Sequence, residues 1–224
     1  MSIPHTIHRI WLGSPLPDEY VYFGLTWQKH HPDWVQYLWS DRRQEPQRGV
    51  VMQTIPSPLH NEELYQQAPR LVPEANVYQF RADLLRYEIL LHYGGVYVDT
   101  DFECVKSIEP ILEGISSFAA WETTDHWVNN AILGCEPGDL FLDVLVGRLA
   151  QSVRENPGKK PNVMSGPQYL TKLYKELKPE NLTVFPQKWF YPYLWNQLNQ
   201  KGRIFPDAYA IHHWANRRRV KASA

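Results

Sequence analysis

Cysteine is scarce in this chain: Cys104 and Cys135 are the only two in 224 residues, which excludes a disulfide-framed scaffold and fits a reducing compartment. Neither sign of charge is in excess. With 23 Lys and Arg against 24 Asp and Glu, the formal net charge is −1, so there is no global electrostatic footprint for nucleic acid. No window is long and apolar enough to span a bilayer. The start, Met1-Ser2-Ile3-Pro4-His5, has neither the basic beginning nor the apolar core of a secretory signal. These absences predict a soluble, cytoplasmic protein. There is also no internal repeat, low-complexity tract or domain linker.

What the chain does have is core material. Hydrophobic residues make up 43%, enough for one α/β domain over residues 1–224. Nine Trp and thirteen Tyr are more aromatics than such a core requires. Most fill it, and the remainder suit stacking on bases or sugars.

His5 to Leu12 alternates loosely and ends at Gly13-Ser14-Pro15, predicting a first strand that runs into a loop. A helix over Asp18–His31 and a strand over Val35–Trp39 complete a β-α-β order. Residues 42–73 are rich in Pro and Gln and predict a surface insertion with one short helix, Glu62–Gln67. From Asn76 to Tyr93, Phe80, Leu84, Tyr87 and Leu91 recur at helical spacing, and Gly94-Gly95 supplies the stop. Strands are expected at Phe118–Trp121, Ala131–Leu133, Leu182–Phe185 and Tyr209–His213, and helices at Phe141–Val153 and Pro167–Leu177. Arg217-Arg218-Arg219-Val220-Lys221, within a tail over 217–224, is a basic run that suits a solvated terminus or peripheral contact with an anionic membrane.

The run Gly94-Gly95-Val96-Tyr97-Val98-Asp99-Thr100-Asp101 is the strongest pointer to chemistry. If Val96 to Val98 is a buried strand, Asp99 and Asp101 project to the same side at its carboxyl end. In open α/β sheets ligands bind at that end. Paired carboxylates without thiols suit Mg²⁺ or Mn²⁺, held together with substrate phosphates. Asp83 and Arg86, three apart in the preceding helix, form a charged pair, read from spacing alone as a solvated surface pair.

Arg81-Ala82-Asp83-Leu84-Leu85-Arg86-Tyr87 followed by Gly94 to Asp101 resembles the signature of the glycosyltransferases whose sugar-binding region contains a DXD motif. That family includes initiating α-1,6-mannosyltransferases, α-1,4-galactosyltransferases and bacterial capsule enzymes, and its core is similar to that of the clostridial glucosylating toxins. Ile3 to Gly13 resembles the family's first strand, and Ala210-Ile211-His212-His213-Trp214 its closing motif. After that motif relatives continue with a small residue, Ser and Trp, whereas this chain reads Ala215-Asn216-Arg217. A lone D-x-D is weak, but the ordered set is specific.

The resemblance implies a GT-A fold, with a single Rossmann-like mixed sheet flanked by helices. It also implies a UDP- or GDP-hexose donor, Mn²⁺ or Mg²⁺, and transfer with retained anomeric configuration to a glycan or lipid-linked acceptor in surface polysaccharide synthesis. Carried over by position, Trp11 stacks on the base, Tyr97 and Asp99 lie near ribose and metal, and Asp101 ligates the metal. His212, with His213 as the competing residue, closes over metal or diphosphate. Asp83 and Arg86 meet sugar hydroxyls, as does Asn129 or Asn130, with Asn130 favoured. Glu122 and Asp125 are acceptor-side candidates.

Two other enzymes or modules compete. A D-x-D phosphatase requires Thr or Val where Glu103 stands, and a calcium loop requires Gly where Cys104 stands. A non-catalytic carbohydrate-binding relative is the alternative outside enzymes, and the intact Asp83, Arg86, Asp99 and Asp101 argue against it.

Overall fold

A computed structural model describes residues 2–215; the basic tail noted above lies outside them. The first β-α-β unit is β1 (Thr6–Ile10), α1 (Asp18–His30) and β2 (Val35–Ser40), and it forms where the alternating apolar residues and the proline stops place it. β3 (Val50–Thr54) and α2 (Glu62–Leu71) follow, then α3 (Val77–Tyr93), β4 (Gly95–Val98) and the short β5 (Phe102–Cys104). Next come β6 (Ser117–Thr123), β7 (Trp127–Cys135), α4 (Leu140–Glu155), α5 (Pro161–Met164), α6 (Pro167–Leu177), β8 (Leu182–Phe185), α7 (Gln187–Phe190) and β9 (Ala210–His212).

Seven strands form one sheet in the order β3-β2-β1-β4-β7-β6-β8. β7 alone among them runs antiparallel to both its neighbours. β5 and β9 pair separately as an antiparallel ribbon, Phe102 opposite His212. Strand alternation divides the core into two layers. Ile7, Val96, Val98, Phe118 and Ile132 face Trp27 of α1 and the ribbon, whereas Tyr97, Ala119 and Leu133 face α3, α4 and α6.

The segment expected as a surface insertion, 42–73, is in part sheet. Val50–Thr54 pairs in parallel with β2, from Gln36 opposite Val50 to Ser40 opposite Thr54. It escaped sequence reading because an edge strand buries little: none of its residues is fully buried, so its periodicity is weak.

The two glycines between α3 and β4 are required by close approach. Gly94 ends the helix with its N–H on the Leu90 carbonyl at a φ of +62°. A Cβ there would lie 2.7 Å from the Pro137 nitrogen, and one on Gly95 (φ +91°) 2.8 Å from the Thr6 carbonyl oxygen. A side chain at Gly94 would push β4 away from the end of β7, and one at Gly95 would push it away from β1.

Candidate active site

The site grows from the carboxyl end of β4. The strand stops at Val98 and the chain turns, Phe102 N–H donating to the Asp99 carbonyl at 3.1 Å. Asp99 and Asp101 therefore converge through a turn rather than through the strand alternation expected from the sequence. His212 reaches the same point from β9, because the ribbon registers it opposite Phe102, the residue after Asp101. One oxygen of Asp99, one of Asp101 and one nitrogen of His212 lie within 4.8 Å of one another. His212 Nε2 is 3.0 Å from Asp101 Oδ1 and 3.9 Å from Asp99 Oδ2. Two carboxylates from one turn and an imidazole from a distant strand fit a divalent cation.

Without a cation the charges compensate one another. Burial opposes ionisation of Asp101, but His212 and the Ala215 N–H, 2.8 Å from Asp101 Oδ2, outweigh it and hold the carboxyl at about 2. Burial likewise opposes a charge on His212, and Asp101 overrides it, raising the imidazole. The closing segment thus folds onto Asp101 as far as Ala215. His213 points the other way, with Nε2 2.8 Å from Glu103 Oε2, Nδ1 2.9 Å from the Tyr193 hydroxyl and its ring stacked on Phe23.

Asp83 and Arg86 are buried, at 2% and 4% exposure, contrary to the solvated pair that spacing alone suggests. Arg86 Nη2 is 3.1 Å from Asp83 Oδ1 and Nη1 is 3.1 Å from Asp99 Oδ1, and its Nη1 also donates to the Asn130 carbonyl at 2.7 Å. The guanidinium lies 4.6 Å from the Tyr97 ring, and the Tyr97 hydroxyl donates to Asp99 Oδ1 at 2.6 Å. α3 therefore presents a charged edge to β4 and β7. Of the two asparagines it is Asn130 that joins this network, its Nδ2 donating to Asp83 Oδ1 at 2.9 Å and to the Tyr87 hydroxyl at 3.0 Å. Asn129 instead donates to Glu122 Oε2 at 2.6 Å. Asp125 sits at the exposed β6–β7 turn with a φ of +58°.

Sequence reasoning missed Ser165, whose hydroxyl donates to Asp83 Oδ2 at 2.9 Å, and the hydroxyl of Tyr87, which donates to the Ser165 carbonyl at 2.7 Å. Tyr87 was legible only as part of an apolar stripe, and Ser165 only as a residue before the Pro167 helix start. Burial is the main influence on Asp83 and raises it to about 6, with Arg86, Ser165 and Asn130 opposing.

Trp11 follows β1, half-buried, its ring 4.8 Å from that of Tyr20 and its indole N–H directed to Ser14 Oγ and the Pro15 carbonyl, each at 3.2 Å. The loop after it is tied to the end of β2 by the Gly13 N–H, 3.0 Å from Asp41 Oδ1. Asp41 is also on the wall of a cavity of about 760 Å³ between the ends of β2 and β3 and α2, lined by Leu38, Met52, Leu59 and Tyr65, with Arg42 and Arg43.

The model of the glycosyltransferase sugar-binding region containing the DXD motif matches residues 17–118. Inositol phosphoceramide mannosyltransferase 3 of Schizosaccharomyces pombe is 29% identical over 214 residues, covering 95% of this chain and 49% of that protein. The chain spans about half the length of the curated yeast relatives it matches. Among solved structures, the PaToxG glycosyltransferase superposes with a TM-score of 0.63 at 18% identity, over 79% of this chain and 71% of that one. The UDP-bound glycosyltransferase domain of the YGT toxin superposes with a TM-score of 0.62 at 13% identity, over 82% and 79%. The fold is GT-A, and over residues 17–118 the chain is similar to the glycosyltransferases whose sugar-binding region contains the DXD motif.

Proposed function

We propose that the chain transfers a hexose from a UDP- or GDP-sugar to a hydroxyl of a glycan or glycolipid, with retention of anomeric configuration and dependence on Mn²⁺ or Mg²⁺. The observation that carries this reading is the convergence of Asp99, Asp101 and His212 within 4.8 Å, next to the Asp83–Arg86 pair that Arg86 links to Asp99. A cation held by those three residues would supply Lewis-acid stabilisation of the departing nucleoside diphosphate.

The chain's own residues do the rest by positioning. Asp83, fixed on one side by Ser165 and on the other by Asn130 and Arg86, presents a rigid acceptor for sugar hydroxyls. Trp11 and the cavity bounded by Asp41 and Tyr65 offer a stacking face and a recess for the base. Glu122, on the acceptor side, is oriented by Asn129. The acceptor hydroxyl attacks from the face the leaving group departs, and a diphosphate oxygen takes its proton, so no protein nucleophile is required. Retention rests on resemblance to the family.

The S. pombe relative, an inositol phosphoceramide mannosyltransferase, supports a mannosyl group and a lipid-linked acceptor, and the UDP in the toxin domain supports a uridine donor. We propose action at the cytoplasmic face of a membrane, in surface glycan or glycolipid synthesis, with the basic tail as a peripheral contact. The test is calorimetric titration with UDP and GDP, each with and without Mn²⁺, for the wild type and Asp101→Ala. Binding of one nucleotide that needs both metal and Asp101 supports the reading; binding of neither overturns it.

A further inference from the structure

Tyr191 follows α7 and is wholly buried. Its ring is fixed by three aromatic neighbours: it stands edge-on to His212 at 5.6 Å and 90°, edge-on to Phe102 at 5.6 Å, and tilted against Trp214 at 5.8 Å. Those contacts need only a ring. The hydroxyls of Tyr87, Tyr97 and Tyr169 donate to the Ser165 carbonyl, Asp99 and the Leu145 carbonyl, whereas that of Tyr191 is buried with no hydrogen-bond partner among the described residues.

A buried, unmade hydrogen bond is unfavourable and calls for an explanation. Its surroundings give one. A phenol keeps its proton at neutral pH, so this buried hydroxyl is a donor. It is a donor without an acceptor, held by a rigid ring against the histidine of the cation cluster.

We propose that Tyr191 is a further donor-binding residue, its hydroxyl giving a hydrogen bond to a diphosphate oxygen of the nucleotide held at Asp99, Asp101 and His212. The inference rests on the glycosyltransferase reading above. An anionic phosphate oxygen is the acceptor a buried phenol donor suits best, and the two meet once neighbouring side chains move aside, an adjustment of the kind binding ordinarily brings.

The experiment compares wild type and Tyr191→Phe, which keeps the ring packing and removes only the orphaned hydroxyl. Melting of the metal-free proteins is measured, together with calorimetric affinity for UDP and GDP in Mn²⁺. The expected result is a melting temperature for Tyr191→Phe equal to or above that of wild type, with affinity for the preferred nucleotide reduced about ten- to hundredfold. Equal nucleotide affinity in the two proteins overturns the proposal, as does a marked loss of stability in Tyr191→Phe, which would show a structural partner for the hydroxyl. If wild type binds neither nucleotide, the glycosyltransferase reading itself has failed.

Discussion

Arg86 of the long helix reaches across to Asp99 beyond the end of β4, its Nη1 3.1 Å from Asp99 Oδ1, while its Nη2 holds Asp83 at the same distance. One buried cation therefore couples the residues assigned to the sugar with those assigned to the metal.

Replacing Arg86 by Ala leaves Asp83 buried without its counter-charge and removes the partner of Asp99. The expected cost is about 3–5 kcal/mol of stability, read from urea unfolding. Arg86→Lys keeps the charge but cannot fork between two carboxylates and the Asn130 carbonyl. It should remain folded and lose donor hydrolysis by at least about tenfold. A fully active Lys variant would show that the fork is dispensable.

Ser165 tests the same network from the other side. Ser165→Ala removes the hydrogen bond to Asp83 Oδ2, with an expected stability loss of about 1 kcal/mol. Burial already raises Asp83 to about 6 and Ser165 opposes that rise, so its removal should lift Asp83 further. The acid limb of the pH–rate profile for donor hydrolysis should then move to higher pH. An unmoved limb would mean that ionised Asp83 is not needed.

At the cation cluster, Asp101→Asn keeps the shape and an acceptor for the Ala215 N–H but removes the charge. Mn²⁺ should raise the melting temperature of the wild type, by binding the folded state alone, and should leave Asp101→Asn unmoved. Equal stabilisation of both would place the cation elsewhere.

Two other histidines make stability sensitive to acid. His8 Nε2 is 2.9 Å from the Gly94 carbonyl, so it carries the proton, and Nδ1 accepts the Trp39 indole N–H at 3.1 Å. A second proton would face a donor with a donor. Burial lowers His8 to about 4, and His31 is lowered to about 4 chiefly by burial, with Nε2 accepting the Ile108 N–H. The unfolded chain takes these protons near pH 6.5 and the folded one does not. Stability should be complete above about pH 6.5 and decline toward pH 4, by about 3 kcal/mol for His8 alone. Urea midpoints that stay level over that interval would contradict this.

The parts of the molecule legible in the sequence were those set by local rules. The periodic Phe80, Leu84 and Tyr87, together with the Gly94-Gly95 stop, located α3 within one residue, and Asp18 and Pro32 bracketed α1. The residues that resemblance brought forward, Asp83, Arg86, Asp99, Asp101 and His212, are neighbours in space. What was not legible depends on partners distant in the chain. β3 is recognisable only beside β2, and β5 only beside β9. Asn130 is distinguished from Asn129 by the side of β7 it occupies, and His212 from His213 by the register of the ribbon. Burial of Arg86 contradicts its propensity as a surface cation and is explained only by the carboxylates that surround it.

That ribbon has a consequence for how the molecule comes into being. Phe102 waits for His212, at the far end of the chain, whereas β1, β2, β3, β4 and β7 find their neighbours within residues 6–135. During synthesis most of the sheet can therefore assemble long before His212, the third residue of the proposed cation cluster, has been translated. On the proposed reading, a chain halted before Ala210 should carry much of the scaffold but lack the histidine of the cation cluster, so that the cluster is completed well after the sheet.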